Sequence, residues 1–432
     1  MKVVQLTAGT GNFYCGNCVR DSALVGALAK QGHDALMVPL YLPMVTDEAD
    51  SISHTPIFYG GINVYLQQKS DLFRRTPRWI DALFDGNRLL RLAARKAGMT
   101  KARDLGEITV SMLKGEAGKQ VKELNRLIEW LAEYGKPDLV CLSNALLLGM
   151  ARRIKSALSI PVVCTLQGED GFLDSLVDPY KQLAWETMTD RAKDVDAFVA
   201  ISRYYAGVMR TRLSLRSEQV HVVHNGIALD GYSTTRQEPS IPTIGYLARM
   251  CPDKGLDKLV DAFMALKTRG RAPGLKLRIA GTMTESDEPY VRMLKKRLAN
   301  QGLSQDVSFH SNISLTEKIA FLESLSVFSV PATYGEAFGL YVIESLAAGV
   351  PVVQPSHAAF PELLESTGGG ILYDTEDPNA LTVALESLLI DPIRARELGE
   401  RGRRAVQEGF SVDRMAEGVS KVFEIAAAVS AE

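Results

Sequence analysis

VFSVPATYGEAFGLYVIESLAAGVPVVQPSHAAFPE, residues 327–362, decides how the chain folds. An apolar run ends at Pro331, a glycine-bearing turn crosses Thr333 to Gly339, and the spacing predicts an amphipathic helix over 340–348. Gly349 and Pro351 stop that helix, and 351–354 restarts a buried strand. The stretch is strand, loop, helix, strand. Two carboxylates, Glu336 and Glu344, stand eight positions apart, the first in the loop and the second in the early turns of the helix. Between them Ala337-Phe338-Gly339-Leu340 brings backbone N–H groups to a helix N-terminus, where the macrodipole favours an anion. Phosphate and sugar hydroxyls can be held side by side at such a point.

The same rhythm runs outward in both directions. Strands are predicted at 2–8, 34–40, 61–68, 139–142, 162–166, 197–201 and 220–223, then at 243–246, 276–280, 307–309, 327–330, 352–354 and 371–373. Helical patterns separate them. Apolar strands alternating with helices mean parallel sheets covered on both faces. The polar run 232–240 interrupts the alternation and reads as a linker, which predicts domains at 1–233 and 241–411. Two doubly wound sheets in tandem put a cleft between their strand C-terminal ends, a usual place for a ligand.

A length of 432 residues with 46% apolar content is ample for two cores. A net charge of −2 gives no electrostatic reason to expect nucleic acid. The N-terminus carries no apolar stretch of signal-peptide length, and no segment reaches the roughly 18 apolar residues of a membrane span. A cytoplasmic protein is expected. Five cysteines, an odd number, argue against a disulfide framework. Cys141, Cys164 and Cys251 read as packing residues. Cys15-Gly-Asn-Cys18 has the spacing of a redox pair or of half a zinc site, with no second pair and no nearby His cluster to complete four ligands.

At the start of the second domain stands Gly245-Tyr-Leu-Ala-Arg249-Met-Cys-Pro-Asp-Lys254-Gly255. An apolar strand leads into a loop with two cations five positions apart. Fixed cations stabilise a departing diphosphate more in the transition state than in the ground state, with Arg able to bind bidentately and Lys acting as a point charge. A solvated Arg and Lys beside a helix start is the bland alternative.

Glu336-Ala-Phe-Gly-Leu-Tyr-Val-Ile-Glu344, followed by Ala-Ala-Gly-Val-Pro-Val-Val and Pro361-Glu362, resembles the donor-binding motif of the retaining glycosyltransferases of family 4, in which two Glu are separated by seven residues. That resemblance implies the GT-B fold, two Rossmann-like domains facing across a cleft, with the segment 412–432 crossing back to the first domain. It implies a nucleoside diphosphate sugar as donor and a hydroxyl acceptor. By the same resemblance Arg249 and Lys254 do the work of a divalent metal, so neither metal nor cofactor is expected. Glu344 would accept hydrogen bonds from the ribose hydroxyls, Glu336 would meet the donor sugar, and the amides of Phe338, Gly339 and Leu340 would meet phosphate or sugar oxygens.

In the first domain, the turn from Gly9 leads straight into a helix, and Gly16 matches the family's glycine against the diphosphate. The family's double glycine is Cys15-Gly16 here, and a tight turn alone would also need these glycines. After the strand at 162–166, many members carry a His that reaches the donor sugar, but this chain reads Gln167-Gly168-Glu169-Asp170. Gln167 can hydrogen-bond a hydroxyl and cannot become cationic. Glu169 and Asp170 are candidate acceptor contacts, or else solvated loop acids. His224-Asn225-Gly226 resembles the end of the family's first domain.

The segment 74–103 interleaves Arg and Lys with Trp79, Ile80, Phe84 and several Leu. It reads either as a peripheral contact with an anionic membrane surface or as a solvated helical cover. The sequence and the resemblance together point to hexose transfer to an acceptor hydroxyl. A nucleotide-sugar epimerase of the same architecture and a catalytically silent scaffold are the alternatives.

Overall fold

The computed structural model describes residues 1–9, 16–41, 58–59, 67–68, 102–233 and 235–431. They form two compact units. One takes in Met1–His224 and the C-terminal helix Val412–Ala431; the other is Asn225–Ser411.

The first unit has six strands, β1 (Lys2–Thr7), β2 (Asp34–Pro39), β3 (Leu139–Leu142), β4 (Val162–Leu166), β5 (Ala197–Ala200) and β6 (Val220–Val222). All pair in parallel, in the order β2-β1-β3-β4-β5-β6. Every residue of β3, β4 and β5 is buried, as expected of strands with helices on both faces. The C-terminal helix is part of this core: Met415, Val419, Val422 and Phe423 pack with Val3, Leu24, Leu139 and Val163.

The second unit has β7 (Thr243–Leu247), β8 (Lys276–Gly281), β9 (Val307–Ser311), β10 (Val327–Phe328), β11 (Val352–Pro355) and β12 (Gly370–Tyr373), again all parallel. Their order is β12-β11-β10-β7-β8-β9. The first three strands are laid down towards one edge and the last three towards the other, so the order reverses between β7 and β10. Ligands of such sheets bind outside the strand carboxyl ends at that reversal.

Several expectations need correction. The units divide between His224 and Asn225, ahead of the polar run 232–240. Residues after the division already belong to the second unit: Ile227 N–H donates to Phe410 O at 2.9 Å, and the Arg236 guanidinium donates to Gly349 O and Leu325 O, both at 2.8 Å. Polarity marked an exposed surface strap here, not a boundary. Of the strand expected at 61–68 only Gln67 and Gln68 are described, and they are helical. Strand β10 stops at Phe328 because Pro331 has no N–H to continue the ladder, although Ser329 N–H still reaches Gly245 O. Cys141 and Cys164 are buried and Cys251 is half-buried. Cys18 is buried with its sulfur 3.8 Å from the Thr7 hydroxyl, while Cys15 lies outside the described residues. The basic segment at 74–103 also lies outside them up to residue 101, after which Ala102–Leu113 is a helix. Among the described residues no helix is long and apolar enough to cross a membrane.

Candidate active site

Three loops meet the reversal point of the second sheet, those following β7, β8 and β10. After β7 the chain passes Arg249 and makes a single tight turn, Pro252–Lys254, closed by Gly255 in the left-handed region at φ +66°. A Cβ at Gly255 would stand 1.8 Å from the Pro331 carbonyl oxygen, so only glycine lets this turn press on the start of the loop after β10. Thr333 N–H, in that loop, donates to Asp253 O at 2.9 Å. The contact joins the two loops beside the residues that carry their charge.

Its consequence is a four-residue cluster. Lys254 Nζ donates to Glu336 Oε2 at 2.6 Å and also to the Tyr334 hydroxyl. The same carboxylate oxygen accepts from the Tyr341 hydroxyl at 2.7 Å and the Tyr334 hydroxyl at 3.1 Å. The ammonium lies 4.7 Å from the centre of the Tyr334 ring and 5.5 Å from that of Tyr341, within cation–π range. Burial pushes the Glu336 carboxyl up, but Lys254 and the two phenols outweigh it and hold the group below its ordinary value. Burial and the same carboxylate hold the Tyr341 phenol well above its own, so it stays a donor.

Arg249 is fixed separately. Its Nε and Nη2 donate to the two oxygens of Asp287 at 3.1 and 3.0 Å. Asp287 stands just before the helix Glu288–Asn300, in the loop after β8, and also accepts from Thr284 N–H at 2.9 Å and its hydroxyl at 2.6 Å. Burial raises the Asp287 carboxyl; the Arg249 and Thr284 bonds more than reverse this and leave it below the ordinary value. The Asp287 hydrogen bonds in turn raise Arg249.

The helix Leu340–Ala347 follows Gly339, which takes φ +90° and caps it. The Phe338 ring is buried, 6.4 Å from that of Phe410, so what it can offer a ligand is its backbone. Leu340 opens the helix and is half-buried. Glu344, one turn on, accepts from Lys318 Nζ at 2.5 Å, a lysine of the helix Leu315–Glu323. Gly349 and the Val350 N–H to Ser345 O bond then end the helix where the sequence placed its stop.

The first-unit candidates group around β4. Gln167 Nε2 donates to Ser143 O at 2.6 Å. Glu169 is not a solvated loop acid. Its buried carboxylate accepts from Ala145 N–H at 2.8 Å, the N–H groups of Gln167 and Gly168, and the Tyr205 hydroxyl at 2.8 Å. Burial raises its carboxyl, and these bonds only partly offset that. Asp170 is half-buried, and its N–H donates to the Tyr205 hydroxyl at 3.3 Å. Gly16 opens the helix Gly16–Lys30; residues 10–15 before it lie outside the described residues.

Sequence reasoning missed Asp287, Tyr334, Tyr341 and Lys318. An Asp immediately before Glu288-Pro289 is a helix-start signal, and it was the available pointer to Asp287. Nothing local singles out the other three. Among the described residues, no three His, Cys, Asp or Glu side chains converge as metal ligands would.

Residues 235–405 match the family described as Glycosyl transferases group 1, and residues 59–230 match Glycosyltransferase Family 4. An MMP alpha-(1->4)-mannosyltransferase of Mycolicibacterium hassiacum is 29% identical over 55% of this chain and 56% of its own. A GDP-mannose-dependent alpha-(1-6)-phosphatidylinositol monomannoside mannosyltransferase of Mycolicibacterium smegmatis is 33% identical over 38% of this chain and 42% of its own. The chain thus spans about half the length of these curated relatives. A solved structure, sucrose-phosphate synthase from Thermosynechococcus elongatus, superposes with a TM-score of 0.71 at 19% identity over 98% of both chains, which shows a shared GT-B fold. Both halves of the sequence match, and the paired carboxylates and cations stand where the strand order reverses; the chain belongs to the group 1 glycosyl transferases of glycosyltransferase family 4.

Proposed function

We propose that this protein moves a hexose from a nucleoside diphosphate sugar to an acceptor hydroxyl, with retention of configuration and without a divalent metal. The observation that carries the reading is the Lys254–Glu336 pair, held by two loops at the reversal of the second sheet. In this reading Lys254 and Arg249 face the diphosphate, Glu336 meets a sugar hydroxyl and Glu344 meets the ribose. The bond from the anomeric carbon to phosphate breaks as the bond to the acceptor oxygen forms on the same face. The acceptor proton passes to a leaving phosphate oxygen, so no enzymic nucleophile is needed. The cations act on the growing charge, which is where electrostatic stabilisation raises rate.

Mannose and guanosine are the first donor components to test, because the second relative is named for GDP-mannose. The phosphatidylinositol monomannoside in that name and the basic, apolar-studded segment 74–103 both favour a lipid-linked acceptor. The test is thermal stabilisation by GDP-mannose, UDP-glucose and ADP-glucose with and without a chelator, then sugar transfer with the donor that binds. A ligand at a hundred times its dissociation constant adds about 2.7 kcal/mol of stability. Stabilisation by one donor, unchanged by chelator, supports the reading. Conversion of the donor without any acceptor would favour an epimerase, and no stabilisation by any of the three would count against a donor site.

A further inference from the structure

We propose that Asp287 is the positioning residue for Arg249, fixing its guanidinium so that one open fork of N–H groups faces the donor diphosphate. The inference rests on the reading just given, that the loop after β7 binds that diphosphate, and goes beyond it by assigning a residue outside both the carboxylate pair and the two cations.

The Arg249 side chain is 51% exposed and that of Asp287 is 6%. A half-exposed arginine without a partner samples many rotamers, few of which aim its N–H groups at a reacting phosphate. Here the two bonds to Asp287 fix the plane of the guanidinium as well as its place. Asp287 is fixed in turn. Its carboxylate accepts from the Thr284 N–H and hydroxyl, and its own N–H donates to Thr284 O at 2.9 Å. The loop that supplies it follows β8, the strand paired with β7, with Leu247 opposite Ala280. Arginine and aspartate are therefore carried by neighbouring strand ends.

The geometry also decides which face of Arg249 is left. Nε and one N–H of Nη2 are used on Asp287. Nη1, together with the second N–H of Nη2, forms the remaining fork, and Nη1 has no protein partner among the described residues. Such a fork matches two oxygens of a phosphate. Asp287 holds one edge of the Arg249 guanidinium, so the diphosphate meets an oriented cation instead of a mobile one. Pre-orientation of that kind acts on the reacting geometry more than on ground-state affinity.

The test uses the full chain and four proteins: wild type, Asp287→Asn, Arg249→Ala and the double variant. Binding of GDP, UDP and ADP is titrated by calorimetry, and transfer is followed with the donor of whichever diphosphate binds. Asp287→Asn is expected to keep KM for the donor within about threefold while kcat falls about tenfold to a hundredfold, the scale of misplacing a reacting group. In the Arg249→Ala background the same change should cost no further kcat. Thr284→Ala, which removes one support of the carboxylate, should shift kcat in the same direction by less, and it decides the matter if Asp287→Asn does not fold. Full kcat in Asp287→Asn, or an equal loss with and without Arg249, overturns the inference while leaving the donor-site reading standing. A wild-type chain that binds none of the three diphosphates overturns both.

Discussion

Lys254 Nζ lies 2.6 Å from Glu336 Oε2, an ion pair made by two loops whose partners are 82 positions apart in sequence. Its side chains are 19% and 11% exposed. Removing the ammonium leaves the carboxylate among two phenols with no counter-charge. Lys254→Ala should therefore lower transfer about a hundredfold to a thousandfold. It should also cost about 3 kcal/mol of stability, the lower end for breaking a buried pair. Initial-rate kinetics with urea unfolding of the same sample checks both, and transfer near the wild-type rate would remove the electrostatic role assigned to Lys254.

Acid should weaken the second unit through two carboxylates. Glu336 and Asp287 are both held below their ordinary values of 4.5 and 3.8 in the folded chain. A depressed carboxylate contributes stability that is fully present above its unfolded value and is lost as pH falls through its folded value. The loss should thus begin below about pH 4.5, with stability level above it from these groups. Denaturant melts of wild type and Glu336→Gln from pH 3 to 7 read this directly. A variant whose acid limb is as steep as that of wild type would contradict the assignment for Glu336.

Two glycines of the site should respond very differently to an added methyl. At Gly255 the new Cβ meets a backbone oxygen at 1.8 Å, and Pro331 can yield only if the two loops part. At Gly339 the nearest atom is 3.3 Å away, on the Phe360 ring, although φ is +90°. Gly339→Ala should fold with a loss of about 1–2 kcal/mol from the left-handed backbone. Gly255→Ala should lose more stability and also the Lys254–Glu336 pair. Equal unfolding midpoints for the two would show that the loops are not pressed together as described.

The contrast between these glycines reflects what a sequence can carry. Strands β3, β4 and β5 were legible because burial on both faces demands unbroken apolar runs, and the helix Leu340–Ala347 was legible because Gly339 and Gly349 punctuate it. The charged residues Arg249, Lys254, Glu336 and Glu344 stood out through spacing and resemblance. Their partners did not. Asp287 is 38 positions from Arg249 and Lys318 is 26 from Glu344, and each pairing exists only because parallel strands bring their carboxyl ends together. The burial of Glu169 was hidden for the related reason that backbone amides, which leave no mark in side-chain pattern, enclose its carboxylate. The division at His224 was likewise hidden, since Arg236 ties the polar run to the second unit through carbonyl oxygens.

The last helix, Val412–Ala431, gives the most direct test of the fold, because it follows the second unit in sequence yet completes the core of the first. Phe423 is fully buried among residues of β1, β3, β4 and the helix Gly16–Lys30. Phe423→Ala should cost about 3–5 kcal/mol, the range for emptying a buried aromatic site. A chain ending at Ser411 exposes the whole apolar face that this helix covers and should fail to bury Val3, Leu24 and Val163, whereas the unit of residues 225–411, which has its own six-stranded sheet, should keep it. Amide exchange separates the cases. In the truncated chain, protection should vanish from β1, β3 and β4 and persist in β7, β8 and β11. If protection in β1 and β3 survives truncation, the first unit folds without its C-terminal helix, and the packing of Phe423 is an accessory to that core and not a requirement.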